Sequence, residues 1–205
     1  MLPLSIAIIS YNEERTLPRC LKSVAELASE IVLVDSGSSD ATLSIAASFQ
    51  ARILHQAWLG YGAQKNRCLD ECTQPWVLAL DCDEELSPEL KQSLLDFFQK
   101  GDASRFVGAS FARKTWFLDR WITHGDWYPD QQLRLFRRDQ GRWVNQIHEH
   151  IALEGPVKKL SGDLLHYSFP SMNAYIDKIN PFADAFLKKQ LALWPKNRNP
   201  HHAKH

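Results

Sequence analysis

Four short apolar runs punctuate the N-terminal half of the chain: Leu4–Ser10, Ile31–Val34, Ala51–His55 and Trp76–Leu80. Between them lie segments with helical spacing. Leu17, Cys20, Leu21, Val24 and Leu27 recur every three or four residues, and Ala41–Phe49 and Gln64–Cys72 read the same way. Strand and helix in alternation predict right-handed crossovers and a mostly parallel sheet with helices on both faces. In such a sheet the loops at the C-terminal strand ends share one edge, so residues far apart in sequence converge there. After a helix predicted over Pro88–Gln99 the pattern changes. Phe106–Phe117 and Gln131–Arg137 read as longer strands around an aromatic loop holding Trp121, His124, Trp127 and Tyr128. Gly141 marks a turn, and Val144–Ile151 and Val157–Tyr167 read as further strands. Ser171–Leu193 reads as an amphipathic helix with Tyr175, Ile179, Phe182, Phe186 and Leu187 on one side.

At 205 residues the chain is expected to form one domain, 1–205. Lys plus Arg and Asp plus Glu both number 24, so no global field favours nucleic acid. Cys20, Cys68, Cys72 and Cys82 follow no Cys-x-x-Cys spacing, and no secretory signal segment is recognised, which predicts reduced thiols in a cytoplasmic protein. Cys68 and Cys72, four apart on a predicted helix, are expected on its buried face. No stretch approaches the roughly 18 apolar residues of a membrane span.

The fourth strand ends in Asp81-Cys82-Asp83-Glu84-Glu85. Carboxylates at a strand's C-terminal end suit Mg²⁺ or Mn²⁺, which takes one or two of them and fills its shell with water and phosphate oxygens. A lone Asp-x-Asp also fits a solvated turn before a helix, and Ser87-Pro88 is a good N-cap and N1 pair. The neighbouring loops favour the first reading. Ser10, Tyr11, Asn12 and Glu13 follow the first strand, and Asp35 with Ser36-Gly37-Ser38-Ser39 follows the second. A carboxylate such as Asp35 is able to accept from a base imide N–H, and small residues let the backbone approach a ligand. Lys65 and Arg67 are placed either to meet a diphosphate or to form a solvated helix face. Neither Gly-x-Gly-x-x-Gly nor a Gly-Lys-Ser/Thr loop is present, so a dinucleotide fold and a P-loop are unsupported. A nucleotidyltransferase would open with a Gly-rich basic loop where this chain has Tyr11-Asn12-Glu13-Glu14.

The order Tyr-Asn-Glu-Glu, Val-Asp-Ser-Gly-Ser-Ser-Asp-Ala-Thr, Ala-Gln-Lys-Asn-Arg and Leu-Asp-Cys-Asp-Glu resembles family 2 glycosyltransferases of the GT-A fold. Later motifs, Trp127-Tyr128-Pro129-Asp130, Gln132–Arg138 and Ile147-His148-Glu149-His150, resemble the bacterial lipopolysaccharide-core β-1,4-glucosyltransferases. The resemblance implies an α/β, Rossmann-like GT-A fold: a mostly parallel central sheet with a nucleotide-sugar half (1–100), a mixed-sheet acceptor half (101–170) and a C-terminal helix and tail (171–205). It implies metal-dependent, inverting transfer of a sugar, glucose by the closer likeness, from a UDP-sugar to a heptose of the lipopolysaccharide inner core at the cytoplasmic membrane face. Another lipid-linked glycan or a peptide is the competing acceptor, and a non-catalytic sugar-nucleotide-binding module is the competing class.

By the same resemblance Tyr11, Asn12, Glu13 and Asp35 hold the uridine with Ser38 nearby, and Lys65 and Arg67 approach ribose or diphosphate. Asp81 contacts nucleotide and cation, and Asp83 is the more direct ligand of Mg²⁺ or Mn²⁺. Inversion also needs a carboxylate base. Asp130 and Glu149 are the candidates, with Asp130 preferred for its loop-to-strand junction. A late histidine, His166 first and His148 or His150 otherwise, is a candidate further metal ligand. Arg134, Arg137 and Arg138 suit diphosphate or an anionic acceptor, because guanidinium binds phosphate bidentately. Strand alternation sends Arg134 and Arg138 to one face and Arg137 to the other. Trp116, Trp121, Trp127 and Tyr128 are expected either to stack on sugar or to fill core. The terminal helix, with Lys178, Lys188 and Lys189, is expected to pack on the domain or a second subunit, or to lie on an anionic membrane.

Overall fold

The structure is a computed structural model and describes residues 1–144, 149–169, 171–173, 175–176 and 187. In chain order the elements are β1 (Leu2–Ser10), α1 (Leu17–Val24), β2 (Ala28–Asp35), α2 (Thr42–Ser48), β3 (Arg52–His55), α3 (Tyr61–Glu71), β4 (Trp76–Leu80), β5 (Glu84–Leu86) and α4 (Pro88–Gln99). The second half adds β6 (Gly108–Phe117), β7 (Arg120–Trp121), β8 (Asp130–Arg137), β9 (Arg142–Val144), β10 (His150–Ala152) and β11 (Val157–Phe169). The strand order is β3-β2-β1-β4-β8-β6-β11-β5, with β7 hairpinned onto β6 and β9–β10 forming a separate hairpin.

β3, β2, β1 and β4 are mutually parallel, as the alternating pattern predicts. β8 then runs antiparallel to β4 and β6, while β11 is parallel to β6. Successive side chains on a strand point to opposite faces, and β1 shows it: Leu4, Ile6 and Ile8 join one buried cluster, Ala7 the other. α1, α2 and α4 cover the first face through Leu17, Leu21, Ala46, Leu90, Leu94 and Phe97. α3 and the β9–β10 hairpin cover the second through Cys68, Leu69, Cys72, Trp143 and Ile151. Cys68 and Cys72 thus fill core as expected, and all four cysteines are free and buried. Ser87 caps α4, its Oγ accepting from Leu90 N–H at 3.2 Å.

The three-residue turn Asp81–Asp83 dictates the shape of the sheet. It joins β4 to β5, yet three strands lie between them in the sheet order. Four Cα–Cα steps reach at most about 15 Å, whereas four strand spacings in a flat sheet span roughly 19 Å. The sheet must curl, and its last strands close over the acidic turn. The strands read as Val144–Ile151 resolve into β9 and β10, with 145–148 outside the described residues. Most of the helix expected over Ser171–Leu193, including its lysines, also lies outside them.

Candidate active site

The C-terminal ends of β1, β2 and β4 open on a cavity of about 1300 Å³, closed on the other side by β6, β11 and the residues around Trp127. Two loops form the floor and are stitched together by short polar bonds. Asn12, at φ 55°, donates its N–H to Ser38 Oγ (2.8 Å), and its Oδ1 accepts from Ser39 N–H (2.8 Å). Glu13 N–H donates to Thr42 Oγ1 at 2.7 Å, and Glu14 N–H to Asp40 Oδ2 at 3.1 Å. The left-handed backbone needed at position 12 is one that asparagine tolerates better than most residues.

Asp35 holds the second loop from within. Its carboxylate is fully buried and accepts from Ser10 Oγ (2.9 Å), Gly37 N–H (2.8 Å) and Ser38 N–H (2.8 Å), and from the Ser38 hydroxyl. Burial opposes its charge, but the Ser38, Gly37 and Ser10 donors outweigh it and hold the carboxyl below the usual aspartate range. Ser10, Tyr11, Glu13 and Ser36 line the cavity; Asn12, Asp35 and Ser38 stand behind them as loop supports. Base contact by Asp35 itself is therefore not what this geometry displays.

The Asp81–Asp83 turn enters the same cavity. Asp81 lies 2.9 Å from Lys65 Nζ and 3.0 Å from Arg134 Nη2. Burial opposes its charge, and the two cations override burial to hold the carboxyl far below the ordinary range. Arg134 also meets Glu84 Oε1 at 2.9 Å, and Glu84 accepts from Asp81 N–H at 2.9 Å, which fixes the turn. Burial pushes the Glu84 carboxyl up, and Arg134 offsets only part of that. Lys65 further contacts Glu149 at 3.2 Å. Asp83 faces His166, with Oδ2 3.3 Å from Nε2. That meeting follows from register, because His166 on β11 pairs with Glu84 on β5, one residue beyond Asp83.

Across the cavity Asp130 is clamped by Arg113, whose Nε and Nη2 donate to Oδ2 at 2.9 and 2.7 Å. Gln132 Nε2 donates to its other oxygen at 2.8 Å. Trp127, Phe169 and Tyr175 form an aromatic wall, and Trp58 and Tyr61 stand on the side of the β1 and β2 loops. Trp116 and Trp121 pack edge-on at 5.1 Å, half-buried and outside both the cavity lining and the core clusters, so they meet neither expectation.

Three predicted arginines are displaced. Arg67 pairs with Glu71 one helical turn on, facing away from the cavity that Lys65 enters. Arg137 lies at the opposite edge of the sheet, opposite Trp76 at the start of β4, and donates to Ala103 O at 2.7 Å. Arg138 falls past the strand end and is exposed, so alternation does not carry it to Arg134's side. The reason is direction: β8 runs antiparallel to β4, so only its N-terminal part reaches the cavity. His150 is exposed on β10, and His148 lies outside the described residues. Sequence reasoning passed over Arg113, Glu84, Tyr61 and Trp143. The acid directly after Asp-x-Asp was the available signal for Glu84, though not its burial; the others depend on tertiary placement.

Among the described residues, six carboxylates line the cavity (Glu13, Asp81, Asp83, Asp126, Asp130 and Glu149) against Lys65, Arg113 and His166. No cluster of three or more His, Cys, Asp or Glu poised for a metal occurs among the described residues. Asp83 and His166 do offer one oxygen and one nitrogen at close range, which suits an ion that keeps few protein ligands and completes its shell with phosphate and water.

A curled sheet, parallel in its first half and mixed in its second, with an acidic turn at the junction, is the GT-A fold. The chain belongs to glycosyl transferase family 2, whose model matches residues 5–154. It is 36% identical over 190 residues to the lipopolysaccharide core biosynthesis glycosyltransferase LpsC of Rhizobium meliloti (strain 1021), covering 89% of this chain and 69% of LpsC. An uncharacterized glycosyltransferase of Rickettsia bellii (strain RML369-C) is 38% identical over 208 residues, covering 96% of this chain and 70% of that protein. Among solved structures, S. aureus TarS 1-349 in complex with UDP-GlcNAc superposes with a TM-score of 0.61 at 16% identity. That match covers 85% of this chain and 61% of the TarS chain, and it speaks to fold alone.

Proposed function

We propose that the chain transfers a sugar from a UDP-sugar to a hydroxyl of a lipopolysaccharide-core acceptor, with inversion and with help from Mg²⁺ or Mn²⁺. The observation that carries this reading is the convergence of the Asp81–Asp83 turn, Lys65 and the Tyr11 and Ser36 loops on one cavity rich in carboxylate. Lys65, Arg134 and Arg113 are already engaged by Asp81, Asp130 and Glu149, so a diphosphate entering this acidic cavity is better accommodated with a cation. The identity to LpsC supports the acceptor class; glucose as donor sugar and heptose as acceptor follow the sequence resemblance.

Tyr11 and Ser36 border the nucleoside, and Lys65 faces the diphosphate. Asp83 and His166 would hold the cation, which would neutralise the charge growing on the departing diphosphate. Asp81, satisfied by Lys65 and Arg134, orients Lys65 rather than binding the ion directly. The acceptor oxygen attacks the anomeric carbon from the face opposite the diphosphate, the carbon–oxygen bond to phosphate breaks, and a carboxylate takes the hydroxyl proton. Glu149 suits that role better than Asp130. Both Asp130 oxygens already accept hydrogen bonds, two of them from a guanidinium, whereas Lys65 contacts only Oε1 of Glu149.

The test is UDP release from a panel of UDP-sugars with and without a heptose-bearing lipid A core. Asp83→Asn is expected to abolish metal-stimulated transfer, and Glu149→Gln to lower kcat about 100-fold or more at saturating donor. Transfer that persists after thorough chelation would refute the metal role. A larger loss in Asp130→Asn than in Glu149→Gln would reverse the assignment of the base.

A further inference from the structure

Asn66, inside the Ala-Gln-Lys-Asn-Arg run, takes no part in the chemistry above. Its side-chain amide pairs with the backbone of Trp143 in both senses. Trp143 N–H donates to Asn66 Oδ1 at 3.0 Å, and Asn66 Nδ2 donates to Trp143 O at 2.9 Å. Such a pair imitates one rung of a β-ladder. It fixes the position and the rotation of the β9 backbone against α3, where a single bond would leave a pivot.

What Asn66 fixes is also what supports the cations. The Trp143 ring is buried, with Lys65 Nζ 4.5 Å and Arg134 Cζ 5.6 Å from its centroid. A desolvated aromatic face attracts a cation more strongly than an exposed one, so the ring seats both groups that grip Asp81. Across the hairpin Trp143 pairs with Ile151, also buried, so the register of β10 follows that of Trp143. Glu149 immediately precedes β10 and reaches Lys65 at 3.2 Å. The Arg142–Asp70 pair ties the same hairpin to α3 but is solvent-exposed and contributes little.

We propose that Asn66 and Trp143 form a positioning latch: Asn66 registers the β9–β10 hairpin on α3, and through it sets Glu149 and the Trp143 ring against Lys65. Neither residue touches substrate. The proposal rests on the transfer reading in so far as Lys65 and Glu149 act in it. It predicts a division of labour. Loosening the hairpin misplaces the carboxylate and costs kcat, whereas removing only the ring face frees Lys65 and costs donor affinity.

The experiment uses the full chain with Asn66→Ala, Trp143→Leu and Trp143→Phe. It measures kcat, donor KM, UDP binding with Mg²⁺, thermal midpoints and hydrogen exchange of the hairpin amides. Asn66→Ala is expected to speed exchange at Arg142–Val144 and to lower kcat about tenfold or more, since misplacement of about 1 Å costs up to 100-fold, with donor KM little changed. Trp143→Leu should weaken UDP binding and raise donor KM roughly five- to tenfold, and Trp143→Phe should restore most of both. The latch is overturned if Asn66→Ala loosens the hairpin without lowering kcat, if exchange there is unchanged, or if Phe is as impaired as Leu. Should Asn66→Ala fail to fold, the Leu and Phe pair decides. A wild-type chain that bound no UDP would count against the transfer reading, while the exchange comparison would still decide the latch.

Discussion

Asp35 shows how a side chain singled out by a sequence motif also holds together the loop that carries it. A carboxylate at the end of β2 was legible as part of a ligand-binding edge; the direction it faces was not, because that depends on the path of the Ser36–Ser39 loop. The loop turns its Gly37 and Ser38 N–H groups inward, and a buried carboxylate satisfies them. Asp35→Asn keeps the shape but replaces an acceptor oxygen with an N–H₂ that faces donors. The expected loss is about 1–3 kcal/mol, the cost of leaving buried groups unsatisfied, read from urea denaturation midpoints. The pH dependence has a definite sign. The folded carboxyl lies below its ordinary value, so the unfolded chain takes up the proton first as pH falls. Asp35's contribution is complete above about pH 5 and declines as pH drops through 4 and below. Asp35→Asn should flatten that part of the stability–pH curve, and an unchanged slope would show that Asp35 is not the linked group. The arginines make the complementary point. Arg134, Arg137 and Arg138 were alike as sequence, and only the direction of β8 separates the buried partner of Asp81 from two residues at the far edge.

Whole elements were legible where periodicity was long and lost where contacts are distant. β1 to β4 and the helices between them follow from apolar spacing, and α4 from its Ser87-Pro88 start. β5 was missed because Glu84–Leu86 has no strand pattern; it is a strand only because β11 arrives beside it, pairing Leu164 with Leu86 and His166 with Glu84. That arrival needs a bend. The pairing of β11 with β6 shifts register between Lys159 and Asp163, and Gly162 sits within the shift at φ +88°. There the backbone passes so close to Glu89 and Leu90 at the start of α4 that a Cβ would collide with their main chain. Asp163 N–H then donates to Ser87 Oγ at 3.0 Å, while Ser87 N–H donates to Asp163 O at 3.0 Å, locking bulge to helix. Gly162→Ala adds overpacking against backbone to a disfavoured φ, so a loss of about 1–3 kcal/mol or more is expected in thermal or denaturant unfolding. Because β5 carries Glu84 and β11 carries His166, the same variant should disturb the Asp83–His166 pair and lower metal-stimulated UDP release even where the fold survives. A variant with wild-type stability and activity would show that the bulge does not set the site.

At the scale of the molecule, the change from parallel to mixed sheet divides the cavity into two walls made of different stretches of chain. Tyr11 and Ser36 follow β1 and β2 and Tyr61 opens α3, whereas Trp127, Asp130 and Phe169 come from the second half. The acidic turn lies between the walls because the short link from β4 to β5 curls the sheet around it. If the first wall holds the donor and the second the acceptor, substitutions should sort by wall. Tyr11→Ala removes an exposed ring from the donor side and should weaken UDP binding several-fold, with acceptor KM little changed. Trp127→Ala removes a ring that packs edge-on against Phe117 at 5.6 Å and borders the cavity. It should raise acceptor KM by about tenfold, the scale of one aromatic stacking contact, while UDP binding and donor hydrolysis without acceptor stay near wild type. Equal effects of both variants on both ligands would mean that the cavity acts as a single pocket, and the division of labour between the halves of the sheet would have to be abandoned.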